Sequence, residues 1–214
     1  MTKFLNKKSC FIGKNVKIGK NVLIYENNHL EGNCQIGDNV TLLPGNFIVD
    51  SNIGDDTILH ASVIEKSEIK SGAFIGPYAR IRPGSVIEKE CKVGNFVEIK
   101  NSNIGANSKI SHLAYVGDSD IGENCNIGCG VIFANYNGKE KNRCKVGNHV
   151  FIGSNSNIIA PVIIGNDSYI CAGTTVTNKV NSGDFVIGRA RQENKENKEV
   201  GGQAVLGRQL IKAT

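Results

Sequence analysis

From Ile12 the chain reads IGKNVK, IGKNVL, IYENNH, LEGNCQ, IGDNVT: an aliphatic residue every sixth position, usually glycine next, and a small or apolar residue four places after the aliphatic. The first and fifth positions are an even number of residues apart, so on a short extended segment their side chains share a face while the third points away. Glycine and asparagine cluster between them and supply the backbone conformations of a sharp corner. Three such sides close a triangular coil, and successive coils pair as parallel strands roughly 4.8 Å apart. The expected fold is all-β, a parallel β-helix of hexapeptide repeats shaped as a triangular prism around a narrow aliphatic core.

The register runs on through Ile75, Ile81, Ile87, Val93 and Ile99, and later through Val146, Ile152, Ile158, Ile164, Ile170 and Val176, with five-residue steps such as Ile99 to Ile104. It breaks in a large way at FANYNGKEKNRCK, between Phe133 and Val146, where a loop must leave a corner. Loops on rigid scaffolds tend to carry function. One prism domain is expected over residues 1–180, with the loop 133–145 inserted. A short C-terminal tail follows over 181–214, too polar at RQENKENKEVGGQ to build core, with a short helix expected at AVLGRQLIKA.

Composition agrees with such a core: 25 glycines, no tryptophan and 6% aromatic residues leave the packing to small aliphatics, while 40% hydrophobic residues exclude a disordered chain. The net charge of +5 is scattered, without the dense basic run of a nucleic-acid surface. The opening MTKFLNKKSC has no apolar core and no long apolar run follows, so a cytoplasmic chain without membrane insertion is expected. The seven cysteines include no CxxC and read as reduced thiols; Cys34, Cys91 and Cys125 occupy a small-residue position of the repeat.

Counting three hexapeptides per coil shows which residues stack. Ile81 and Ile99 fall on one side one coil apart, so Arg82 and Lys100 stack at one edge, and Tyr115, just before Val116, is expected at that edge a coil further on. Such a pair of cations is either a solvated basic edge or the seat of a phosphate. Ile110, Ile127, Ile152 and Ile170 occupy another side, and their outward third positions, His112, Cys129, Ser154 and Ala172, form a ladder spanning roughly 14 Å. This track would take an extended pantetheine arm with its thioester near His112; the alternative is a purely structural histidine.

The segments GPYARIRPG, VGNFVEIKNS, SHLAYVGDSDIG, NIGCGVIFANYNG, FIGSNSNIIAPVIIG and AGTTVT resemble the acetyltransferase domain of the bifunctional bacterial enzymes that make UDP-N-acetylglucosamine. The resemblance runs from the first repeats to Arg189. It implies a left-handed prism, an exception to the usual right-handed crossover, and transfer of acetyl from acetyl-CoA to glucosamine-1-phosphate. It implies His112 as general base, a task that suits imidazole near neutral pH, with Glu98 orienting it. Arg82 and Lys100 resemble the phosphate-binding pair, and Tyr115, Asn126 and Lys141 resemble sugar contacts. Asn135 would donate to the developing oxyanion, with Tyr136 beside it. Cys129, Ser154 and Ala172 would flank the pantetheine, and Arg189 would meet the nucleotide phosphates. The family works as homotrimers with active sites between prisms, which would bring Arg82 and His112 of one chain near the loop or tail of another.

Two residues depart from the family's pattern: Cys129 stands where alanine is usual and Asn137 where aspartate is usual. The nucleotidyltransferase domain with its glycine-rich loop has no counterpart here, so uridylyl transfer is not expected. Among rivals, zinc-dependent carbonic anhydrases on the same prism need three gathered histidines, whereas His29, His60, His112 and His149 do not stack under the coil count. A non-catalytic trimerising module should have lost His112, Asn135 or Lys141. An acetyltransferase for another amino sugar phosphate is the remaining alternative.

Overall fold

The computed structural model describes residues 1–194. Among them every strand-to-strand ladder is parallel, and the strands are two to nine residues long, mostly two or three. They form a left-handed parallel β-helix with three faces. One face is a nine-stranded sheet. The other two join into a single 19-stranded sheet, because the strands Lys92–Lys100 and Lys109–Gly117 each run across a corner and belong to both faces.

The register matches the hexapeptide count. Ile81 lies beside Ile99 and Ile99 beside Val116, while Ile110, Ile127, Ile152 and Ile170 form one continuous row. These aliphatics are at most 2% exposed and fill the prism from end to end. Each fully buried side chain of this size contributes about 1.5–3 kcal/mol relative to an exposed one, so the narrow core is spread along the axis. Cys34, Cys91 and Cys125 are buried as small hydrophobes, and so are Cys144 and Cys171; Cys129 is the exposed thiol. Phe133 is fully buried where the loop leaves, filling the position that Val116 and Ile158 take in adjacent coils.

The corners need left-handed backbone, which asparagine and aspartate tolerate better than other non-glycine residues. Asn21, Asn39, Asp56, Asn107 and Asn124 supply it with φ between 55° and 60°. At another corner large apolar residues do so instead: Tyr78, Phe96 and Leu113 have φ of 58°, 57° and 37° and are 62%, 59% and 57% exposed. Their protruding side chains begin as a stack, with the Tyr78 and Phe96 rings 5.7 Å apart.

The prism does not stop at Val180. Val180 is buried and bridges to Ile164, and the strand Phe185–Val186 pairs with Tyr169–Ile170, so part of the expected tail completes a further coil. The sequence count stopped there because Val180 and Val186, though six residues apart, are followed by Asn181 and Ile187 and not by glycine, while hydrogen bonding to the strand below needs only extended backbone. The helix expected at AVLGRQLIKA lies outside the described residues. No helix among the described residues is long and apolar enough to cross a membrane.

Candidate functional site

The polar side chains singled out from the sequence gather in two places on either side of the Tyr78–Phe96–Leu113 corner. The first is the edge carrying Arg82 and Lys100, which are adjacent in register. Each cation has its own carboxylate. Arg82 Nη1 donates to Glu98 Oε1 at 2.7 Å, and Lys100 Nζ donates to Asp118 Oδ2 at 3.0 Å. Neither cation of the stacked pair is therefore bare. Within one chain Glu98 pairs with Arg82, and its register partner on the next coil is Tyr115 and not His112.

Tyr115 is likewise displaced from its expected column. The position after Lys100 in the column is Gly117, since the buried residue Val116 has an outward neighbour on each side and Tyr115 is the one before it. The phenol nevertheless returns to the edge, because a Cβ added to Gly117 would lie 2.5 Å from its hydroxyl and 2.8 Å from Asn135 Nδ2. Glycine at 117 thus leaves the space in which Tyr115 and Asn135 meet. Beside them a cleft of about 420 Å³ is lined by Phe96, Glu98, Leu113, Ala114, Tyr115 and Ile132 among others.

The inserted loop folds back over its own chain's edge. Tyr136 and Lys141 form an antiparallel bridge, and the Asn137 side-chain oxygen accepts from the backbone N–H groups of Lys139 and Glu140, both at 2.9 Å. Asn137 can cap this turn as an aspartate would, which makes the departure from the family pattern structurally mild. The Tyr136 hydroxyl donates to the Gly138 carbonyl at 2.7 Å. Lys141 reaches the edge within the same chain: its ammonium is held below the usual lysine range by a side-chain contact with Lys100, by that cation's charge and, further off, by Arg82. The loop's base is clamped by Arg143, which donates through Nε and Nη2 to both oxygens of Asp120 and through Nη1 to the Asn101 carbonyl at 2.8 Å. Arg143 holds the Asp120 carboxyl below its ordinary range against the effect of burial.

At the centre is Asp118, only 6% exposed, whose carboxylate accepts from Lys100, from Asn101 Nδ2 at 2.6 Å and from Asn135 Nδ2. Burial pushes this carboxyl up, but the hydrogen bonds from Asn101, Lys100 and Asn135 outweigh it and hold it below the usual range. Burial likewise opposes the charge on Lys100, and Asp118 reverses that, leaving Lys100 above its ordinary value. Asp118 and Arg143 were both missed in the sequence. Asp118 was visible in HLAYVGD, but nothing in its spacing says which donors converge on it.

The second place is the corner ladder. Cys129, Ser154 and Ala172 are exposed and follow one another in successive coils, where the backbone N–H groups of Asn155 and Gly173 donate to the carbonyls of Cys129 and Ser154, both at 2.8 Å. Arg189 closes the far end by donating to the Ala172 carbonyl at 2.6 Å, so the structure joins it to the ladder inside one chain. At the near end His112 lies opposite Asn95, and Nδ1 stands 3.0 Å from the Asn95 side-chain oxygen. An amide oxygen accepts, so this geometry suits the tautomer in which Nδ1–H donates to Asn95, and a neutral ring in that tautomer presents the Nε2 lone pair. Asn95, absent from the sequence reading, is the side chain that meets the His112 ring within this chain. Asn126 lies on the adjoining face, beside Lys109 and Phe151. The other histidines lie apart: His29 is stacked between Phe11 and Phe47, and His149 faces Asp167 at 3.2 Å.

Sequence comparison decides the relationship. Over 190 residues the chain is 46% identical to the bifunctional protein GlmU of Clostridium beijerinckii, and over 188 residues it is 50% identical to that of Caldicellulosiruptor saccharolyticus. Nearly the whole described chain is thus similar to the C-terminal part of bifunctional GlmU proteins. The matches cover 89% and 88% of this chain but 42% and 41% of those proteins, in their C-terminal part, so the chain spans about two-fifths of the length of the relatives it matches. Residues 63–137 match the GMPPB C-terminal domain, and residues 9–49 and 143–178 match the bacterial transferase hexapeptide family. Among solved structures, an Arabidopsis UDP-N-acetylglucosamine acyltransferase superposes with a TM-score of 0.59 at 20% identity, covering 82% of this chain and 68% of that one. The corresponding Bacteroides fragilis enzyme superposes with a TM-score of 0.50 at 18% identity over the same shares. At such identities these two show the shared fold.

Proposed function

We propose that the chain is an acyltransferase that moves an acetyl group from acetyl-CoA to the amine of glucosamine-1-phosphate. The observation that carries this reading is the placement of two complementary sites on adjoining coils: a cation edge of Arg82, Lys100 and Lys141, and a ladder of small side chains with His112 at one end and Arg189 at the other. Three cations on one edge suit a phosphate dianion, which would take over part of the charge balance now supplied by Glu98 and Asp118. Cys129, Ser154 and Ala172 leave room for a slender arm, with exposed corner backbone to meet its amides, and Arg189 suits the phosphates of its nucleotide.

Acetyl-CoA supplies an activated thioester. The chain's residues do the rest. His112 Nε2 takes the proton that the sugar amine gives up on attacking the carbonyl and returns one to the departing sulfur. Asn135 has a second N–H beyond the one held by Asp118, and this can meet the oxygen that becomes negative during attack. Tyr115, Asn126 and Lys141 border the space for the sugar, and Tyr136 stands beside the acetyl end.

The working unit in this reading is a homotrimer. Within one chain His112 and the cation edge are separated by the corner of Tyr78, Phe96 and Leu113, whose exposed side chains are poorly suited to water and well suited to a neighbouring prism. Packing there would bring the edge of one chain to the ladder of the next. The test is release of free thiol from acetyl-CoA across amino sugars and their 1- and 6-phosphates. Glucosamine-1-phosphate should exceed unphosphorylated glucosamine by at least about 100-fold in kcat/KM, a factor set by lost charge-assisted hydrogen bonds, and His112→Ala should abolish the difference from background. Equal rates for both sugars, or wild-type turnover by His112→Ala, would overturn the reading. A preference for a different phosphorylated amino sugar would move the acceptor while keeping the mechanism.

A further inference from the structure

We propose that Asp118 is the positioning residue of this site, holding Lys100 and Asn135 at one fixed separation so that the phosphate cation and the amide beside the reacting carbonyl act as a unit. This rests on the reading of the site given above. Neither residue is fixed by its own backbone alone: Lys100 is a flexible cation with its ammonium in the site, and Asn135 begins the inserted loop. What joins them is one carboxylate that receives both, together with Asn101. A carboxylate has about four acceptor positions, and three charged or amide donors nearly saturate it, leaving little freedom to any partner.

The main chain of Asp118 is anchored on the same two sides. Its N–H donates to the Lys100 carbonyl at 2.9 Å, and its carbonyl accepts from Cys144 at the end of the loop at 3.1 Å. Asp118 therefore ties the coil below to both ends of the loop, through Asn135 at the start and Cys144 at the finish. The backbone does not demand this residue type. Other corner residues with nearly the same φ, Asp50, Lys66 and Asn101 at 46°, 43° and 47°, include a lysine and an asparagine, against 47° for Asp118. The negative charge is explained by what converges on it.

There is a chemical consequence for Asn135. One of its amide hydrogens is committed to an anion, and donation of that kind strengthens the amide oxygen as an acceptor while Lys100 neutralises the carboxylate. Without Asp118 the amide could turn over, exchanging oxygen for nitrogen toward the substrate.

The test is Asp118→Asn, which keeps the shape but offers a single oxygen and adds donors facing the Lys100, Asn101 and Asn135 donors. Two effects are expected, a fall in kcat and a rise in KM for the sugar phosphate, each of about 10- to 100-fold, the range for loss of a charged hydrogen bond. A double-mutant cycle separates positioning from general damage. In an Asn135→Ala background the further loss of kcat from Asp118→Asn should vanish, and in a Lys100→Ala background the further rise in KM should vanish. Undiminished losses in both backgrounds would overturn the proposal. A second measurement needs no Asp118 variant: the Asn135 side-chain amide resonance, identified by its disappearance in Asn135→Ala, should be protected from water exchange and should shift as acid protonates Asp118. A resonance indifferent to acid would overturn the proposal even if Asp118→Asn fails to fold. If the wild type acetylates no amino sugar phosphate, the reaction assignment falls, and the resonance still decides whether the Asp118–Asn135 link exists.

Discussion

Gly117→Ala adds one methyl group at the point where Tyr115 and Asn135 meet. The Cβ would lie 2.5 Å from the Tyr115 hydroxyl, 2.7 Å from its Cζ and 2.8 Å from Asn135 Nδ2, where ordinary contact begins at 3.4 Å. The hydroxyl must then retreat by about 0.9 Å and the amide by about 0.6 Å. Gly117 does not have a left-handed φ, so alanine brings no backbone strain. The obstructing groups are a rigid phenol ring and a buried amide held by Asp118, which places the stability cost in the ordinary range of overpacking, about 1–3 kcal/mol. Catalysis should respond much more strongly, because displacement of a substrate-positioning group by about 1 Å can cost on the order of 100-fold. The expected outcome is a folded protein with a denaturant midpoint lowered by the equivalent of about 1–3 kcal/mol and a kcat/KM for glucosamine-1-phosphate about 100-fold lower in the thiol-release assay. Wild-type turnover by Gly117→Ala would show that the positions of Tyr115 and Asn135 do not matter to the reaction. A loss of activity matched by wholesale unfolding would show that the cost had been assigned to the wrong link.

Two further outcomes follow from the site. A thiol-directed reagent should label exposed Cys129 ahead of the five buried cysteines and the half-buried Cys10, and should block turnover in proportion to labelling, with acetyl-CoA protecting; full activity after stoichiometric labelling, located by mass spectrometry, would remove Cys129 from the donor track. Asp120 is held below its ordinary range by Arg143, so it stabilises the folded chain fully above the unfolded value of about 3.9 and loses that contribution as pH falls through its lower folded value; the denaturant-midpoint gap between wild type and Asp120→Asn should be open at pH 7 and close toward pH 3, and a gap independent of pH would contradict the Arg143–Asp120 clamp.

The sequence by itself determined the prism. A six-residue period with corner-forming glycine and asparagine permits one way of stacking, and the count placed Ile81 beside Ile99 and His112, Cys129, Ser154 and Ala172 on a common corner because those relations depend only on backbone periodicity. It also located the loop, since a broken period must leave the coil. What it could not determine was anything set by the reach of a side chain. Glu98 and Asn95 are both outward residues on one strand near His112, and only register with the next coil, together with side-chain length, gives Asn95 to His112 and Glu98 to Arg82. The convergence of Lys100, Asn101 and Asn135 on Asp118 links residues 17 or 18 positions apart through a corner and a returning loop. Hydrogen bonds of that kind carry no periodic signal, and tertiary structure alone decided that the stacked cations Arg82 and Lys100 each meet a carboxylate.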